Sequence, residues 1–302
     1  MPTKIEWATE VFNPVTGCTP ISPGCANCYA ERMSKRLAGR CGYPADEPFR
    51  VTVHPDRMEE PLRWKKPRRV FVCSMGDLFH PDVSFEFIDK VFAVMALCPQ
   101  HTFLILTKRP DRMRRYLTIV KPETATQDWR RHLYFASGNN QRLSDGCCFK
   151  WPLPNVRLGV TTENQEQANK RIPILLQTPA AVRFVSVEPM LGPVDLSEGM
   201  CERGWWCDYC QATKSPQQVT SDELCTYCGG SVEWKEQIDW VVCGTESGPR
   251  RRPAKIEWIR NLRDQCIAAN IPFFLKQAES CGQLIKMPEL DGRTWAEMPE
   301  VE

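Results

Sequence analysis

The sequence predicts an α/β protein, a partial (β/α) barrel into which a small ribbon of four cysteines is inserted. Three observations predict it. Short apolar runs alternate with helical patterns, polar residues close each run, and the cysteines gather into two tight clusters set far apart.

The predicted strands, in order, are "RRVFVCSMGD" from Arg68, "HTFLILTKRP" from His101, "NVRLGVTTEN" from Asn155, "VRFVSVEPML" from Val182, "DWVVCGTESG" from Asp239 and "IPFFLKQAES" from Ile271. Runs this short and apolar fit parallel strands covered on both faces. Helical periodicity fills the spaces between them, as in "SFEFIDKVFAVMALC" from Ser84, "NQEQANKRIPILLQT" from Asn164 and "KIEWIRNLRDQCIAAN" from Lys255. Alternation of this kind gives βα units with right-handed crossovers.

Each run ends in chemistry: Ser74 and Asp77; Thr107, Lys108 and Arg109; Thr161, Thr162, Glu163 and Asn164; Ser186 and Glu188; Thr245, Glu246 and Ser247; Lys276 and Gln277. In a (β/α) barrel the carboxyl ends of the strands share one mouth, where active sites lie. One glutamate at one strand end is an ordinary loop or helix-cap residue; the repetition carries the weight. The same side chains also fit a salt-bridge network within the mouth.

Composition sets the limits. The 302 residues are 42% hydrophobic and 25% charged, with 39 basic against 37 acidic residues and a net charge of +2. That balance excludes a global polycation, so any nucleic-acid contact needs a local patch. No apolar run approaches the ~20 residues of a membrane span, and "MPTKIEWATE" lacks the apolar core of a signal peptide. A cytoplasmic setting is expected, where clustered cysteines hold metal rather than disulfides.

"CDYC" at Cys207 and Cys210 and "CTYC" at Cys225 and Cys228 are two knuckles joined by a polar linker. Four thiolates so arranged predict a closed structural zinc site on a ribbon. The expected divisions are 1–198 and 237–285 for the two barrel parts, 199–236 for the ribbon and 286–302 for a C-terminal tail. Cys73 and Cys243 lie in apolar runs and read as core. Cys147 and Cys148 have no evident role, and Cys201 reads as a spare.

"GCTPISPGCANCYAERM" carries Cys18, Cys25 and Cys28 with gaps of six and two residues, just before a helix start. No fourth cysteine or histidine is near. A 4Fe-4S cluster on three thiolates leaves one iron open, whereas zinc wants a fourth protein ligand. Gly17, Pro20, Pro23 and Gly24 keep the segment non-helical. A three-cysteine zinc site completed from a distance is the alternative.

Together "FNPVTGCTPISPGCANCYAERM", "SMGDLFHPDV", "LTKRPDRM", "RFVSVEPMLGPVDL" and "GTESGPRRRPAKIEWIRNLRDQC" resemble a phage-associated family of radical-SAM-like proteins with a three-cysteine motif. The resemblance runs from about Lys4 to Gln277. It implies a radical-SAM-like barrel with Cys18, Cys25 and Cys28 as cluster ligands and S-adenosylmethionine as cosubstrate. An electron from the reduced cluster would cleave the sulfonium, and a 5′-deoxyadenosyl radical would abstract hydrogen. The common loop of that superfamily has a first gap of three and an aromatic before the last cysteine; here the gap is six and Tyr29 follows Cys28. By the same resemblance, Ser74, Met75, Gly76 and Asp77 would bind the methionine amino group. Thr161, Glu163 and Asn164 would lie toward the ribose, with Glu188, Glu246 and Lys108 as the catalytic set and Lys276 available for a carboxylate or phosphate.

Basic runs "LRWKKPRR", "KRPDRMRR" and "PRRRPAK", with Trp64 to stack on a base, point to a nucleotide or nucleic-acid substrate. An external electron donor is the other expected partner. The rival reading is a non-enzymatic nucleic-acid-binding protein with zinc in both clusters.

Overall fold

In the computed structural model, residues 3, 5–119, 150–200, 203–207, 209–210, 212–280 and 282–300 are described. Cys147, Cys148, Cys201 and Cys281 lie outside them.

In chain order the strands are β1 (Glu10–Phe12), β2 (Val15–Thr16), β3 (Thr52–Val53), β4 (Arg69–Val72), β5 (Thr102–Thr107), β6 (Val156–Thr161), β7 (Val182–Val187), β8 (Gly204–Cys207), β9 (Ala212–Lys214), β10 (Val232–Lys235), β11 (Trp240–Gly244), β12 (Phe273–Ser280), β13 (Gln283–Lys286), β14 (Glu289–Leu290) and β15 (Arg293–Thr294). The helices are α1 (Tyr29–Leu37), α2 (Phe85–Leu97), α3 (Pro110–Ile119), α4 (Gln165–Leu176) and α5 (Ile256–Ala268).

Eight strands form one sheet in the order β1-β4-β5-β6-β7-β11-β12-β13, curled into a half-barrel. The first seven run parallel, and β13 folds back antiparallel on β12. All six sequence-predicted strands fall in this sheet. Their order in space is their order in the chain, as successive βα units require. Among the described residues the edges β1 and β13 do not pair, so the barrel stays open.

Side chains of period two sort the core into faces. Phe103, Ile105, Leu158, Val160, Val185, Val241, Cys243, Phe273 and Leu275 face the helices in the larger core. Leu104, Phe184, Trp240, Val242 and Phe274 point to the concave side, where Trp7 from the N-terminal segment joins them. Gly159 makes room there: a Cβ would sit 2.5 Å from the Phe184 ring. Cys73 and Cys243 are buried, and burial pushes both thiols up.

Between β7 and β11, β8, β9 and β10 make a separate three-stranded antiparallel sheet in the order β10-β8-β9. The stretch read as a tail is not loose. Leu290 and Trp295 are buried in the main core, the Leu275 N–H donates to the Trp295 carbonyl at 2.9 Å, and the Trp240 indole donates to the Glu297 carbonyl at 2.9 Å. No helix among the described residues is long and apolar enough to cross a membrane.

Candidate functional site

A cavity of about 240 Å³ opens at the carboxyl ends of the parallel strands. Its wall includes Cys18, Cys25 and Cys28 on one side and Ser74, Gly76, Asp77, Lys108, Thr161, Glu188, Glu246 and Lys276 from the strand ends. Residues separated by more than 200 positions in sequence meet because parallel strands present all their carboxyl ends on one rim.

The cysteine loop is tied to that rim at several points. The Gly17 N–H donates to the Met75 carbonyl at 2.9 Å, and Asn13 Oδ1 accepts from Ser74 Oγ and the Met75 N–H. Asp77, 5% exposed, accepts from the Thr107 hydroxyl at 2.8 Å and from Arg109 at 2.9 Å. Arg109 reaches past it to donate to Cys18 Sγ at 3.3 Å and to the Thr19 carbonyl at 2.9 Å. Burial first, then the Asp77 charge, raises the Cys18 thiol against the opposing pull of Arg109.

Glu163 and Asn164 do not face the cavity. Glu163 is fully buried, pairs with Arg171 at 2.8 Å and accepts the Gly24 N–H at 3.0 Å. Burial would raise its carboxyl; the Ser22 hydroxyl, Arg171 and the Gly24 N–H outweigh that and hold it below the usual range. Asn164 caps α4 by accepting from the Gln167 N–H at 3.0 Å. Glu246 lines the cavity, and its carboxylate accepts from Arg252 and from Asn27 Nδ2. Glu188 pairs with Lys276. Among the described residues, no carboxylate pairs with the Lys108 ammonium.

The basic runs are committed in part. Arg109 serves Asp77 and Cys18; Arg251 pairs with Glu279 and Arg252 with Glu246. Trp64 is not free to stack on a base: it packs partly buried against the core, its ring 5.7 Å from that of His101 and under Arg68. Lys65, Lys66 and Arg69 stay exposed, and Arg250, with Arg32 and the Glu31–Lys35 pair, lines a second cavity of about 110 Å³ beside Cys28.

A second cysteine site stands apart. The sulfurs of Cys207, Cys210, Cys225 and Cys228 all lie within 4.8 Å of one another, so this tetrad could hold a metal ion. The knuckle N–H groups of Tyr227 and Cys228 overcome burial and hold the Cys225 thiol down to about 6. Among the described residues no other three cysteines, histidines or carboxylates converge so closely; Cys18, Cys25 and Cys28 stand wider apart.

A family model described as "Protein of unknown function (DUF5131)" matches residues 2–299. The chain belongs to the DUF5131 family. No curated protein and no solved structure matches it. The match spans both cysteine sites, so in this DUF5131 chain the half-barrel, the cysteine loop and the tetrad fall within one family unit. The sequence alone did not point to Trp7, Asn13, Asn27 or Arg171, and it offered Arg252 only as part of a basic run. Trp7 and Asn27 border the cavity, and the other three fix its wall. Their signal lies in long-range pairing, which no local pattern reports.

Proposed function

We propose that this protein is a radical S-adenosylmethionine enzyme whose three-cysteine loop holds a 4Fe-4S cluster at the mouth of the half-barrel. The observation that carries the reading is one cavity walled by three thiols and by the polar ends of six parallel strands. The donor set fits. Three soft thiolates suit an iron–sulfur cluster, in which each sulfur takes its own iron. When bound, the reduced cluster and S-adenosylmethionine supply a radical that abstracts hydrogen.

The chain's own residues do the rest. Arg109 holds a donor on Cys18, and Lys108 offers a cation to a carboxylate or phosphate in the cavity. Glu188, with Lys276, places a second polar pair on the opposite wall, and Ser74, Gly76 and Asp77 form the edge nearest the loop. The substrate class favoured by Arg250 and Arg32 beside Cys28, where Lys35 pairs with Glu31, is a nucleotide or nucleic acid, through its phosphate.

Zinc is the ion the tetrad suits. Sulfurs at about 2.3 Å from a tetrahedral zinc lie about 3.8 Å apart; Cys207 and Cys228 are 3.5 Å apart, Cys210 and Cys225 3.8 Å. The site is closed, so its role is structural.

The test is oxygen-free purification with iron and zinc counted in wild type and Cys28→Ala, followed by an assay of reductive S-adenosylmethionine cleavage. Brown protein with about four irons and one zinc, losing only iron in the variant, is the expected result. Zinc at both sites with no visible absorbance after reconstitution overturns it and leaves a zinc-dependent nucleic-acid-binding protein.

A further inference from the structure

The cysteine loop is gripped by three ion pairs, each built from a buried carboxylate at a different strand end and one arginine. At the β4 end Asp77 pairs with Arg109, which donates to Cys18 Sγ and the Thr19 carbonyl. After β6, Glu163 pairs with Arg171 and takes the Gly24 N–H, one residue before Cys25. After β11, Glu246 pairs with Arg252 and takes Asn27 Nδ2, one residue before Cys28, while Arg252 donates to the Pro23 carbonyl at 3.0 Å. Each thiol thus has its own anchor.

The carboxylates are 5%, 0% and 4% exposed. Charges buried this deeply are costly unless each is paired and hydrogen-bonded, and here part of the bonding is to the loop itself. Gly24 shows how close the grip is: a Cβ there would lie 2.9 Å from the Glu163 carboxyl. The loop has little regular structure of its own, one 3-10 turn at Pro23–Cys25. Its shape comes from the rim.

We infer that Asp77–Arg109, Glu163–Arg171 and Glu246–Arg252 are positioning pairs that hold Cys18, Cys25 and Cys28 in place before any metal arrives. This rests on the cluster reading for its purpose but not for its test. Preorganised ligands bind without the ordering cost that a flexible loop would carry, and outer partners of this kind tune the group they orient.

The experiment uses the full chain purified without oxygen from iron-depleted, zinc-supplied cells. Iodoacetamide labelling of Cys18, Cys25 and Cys28 is timed separately by peptide mass spectrometry, and iron uptake and the reduction potential are measured after reconstitution. Asn27→Ala removes the loop side of one anchor, together with the Asn27 bond to the Arg250 carbonyl, and leaves Glu246–Arg252 intact; Glu246→Gln removes the charge on the other side. Both should speed labelling of Cys28 by about tenfold, the factor that loss of one hydrogen bond to a charged group gives, with Cys18 little changed. The melting temperature of Asn27→Ala should stay near wild type while the potential of its cluster shifts. Labelling of Cys28 at the wild-type rate in both variants overturns the inference. If labelling responds but wild type takes up no iron, the anchors stand and the cluster reading falls.

Discussion

Glu163 is fully buried against Arg171, itself 5% exposed, so its replacement by glutamine strands a guanidinium away from water. The expected cost is about 3–5 kcal/mol at neutral pH. The carboxyl is held below its ordinary range. Its contribution is therefore complete above the unfolded value of about 4.3 and is lost as pH falls through the lower folded value. Denaturant unfolding across pH should show the gap between wild type and Glu163→Gln closing in acid. A gap of constant size would mean that the charge is not what stabilises the site. Asp291 offers a simpler case at the surface. Hydrogen bonds from Arg260 and Arg263 hold its carboxyl at about 2. An NMR titration of Arg263→Ala should find it nearer the ordinary value of about 3.9.

At the scale of elements, the ribbon strands β8, β9 and β10 bury only a small cluster around Cys207, Cys225 and Val232. So little apolar area cannot order three strands unaided. Cys210→Ser should lose one metal ion, and hydrogen exchange should then report fast amides in β8 to β10 with the half-barrel strands still protected. Protection retained in the ribbon would show that the metal is not what folds it. The C-terminal hairpin β14–β15 should behave in the opposite way, because Trp295 is 7% exposed on Phe273. Trp295→Ala is expected to cost about 3–5 kcal/mol by thermal or chemical unfolding.

The elements that were legible in the sequence explain why the others were not. The strands β4 to β7, β11 and β12 are covered on both faces, and such coverage writes an unbroken apolar run. Strand β1 is three residues long and reads as ordinary coil, although it forms an edge of the main sheet. Trp295 sits in a polar stretch with no repeat to announce it, and its burial depends on β12 from the same chain. The tetrad was legible because a knuckle is a local motif. At the cavity, residue types at strand ends were readable, but their partners were not: Glu163 read as a residue of the ribose side of the mouth until Arg171 was placed beside it.

The whole molecule is a sheet that curls without closing, with its chemistry on one rim and its ribbon set between β7 and β11. The concave side below the rim is filled by Trp7, Phe184, Trp240 and Phe274, so the cavity is a shallow bowl above a packed floor. Trp7 both lines the cavity and rests on Trp240, with ring centroids 6.2 Å apart. Trp7→Ala should therefore lower stability by about 3–5 kcal/mol. It should also deepen the bowl, which a bound fluorescent adenosine analogue would report as altered affinity. Unchanged stability would show that this floor is not part of the core.

Asn27 and the Glu246 that grips it are 219 residues apart in the chain. Ribosomes add roughly 5–20 residues each second, so the cysteine loop leaves the exit tunnel some tens of seconds before its last anchor exists. Throughout that interval Cys28 lacks its anchor, although those of Cys18 and Cys25 are translated earlier, by Arg109 and Arg171. On the cluster reading proposed above, a chain that stops short of Arg252 would receive the group with one of the three anchors missing.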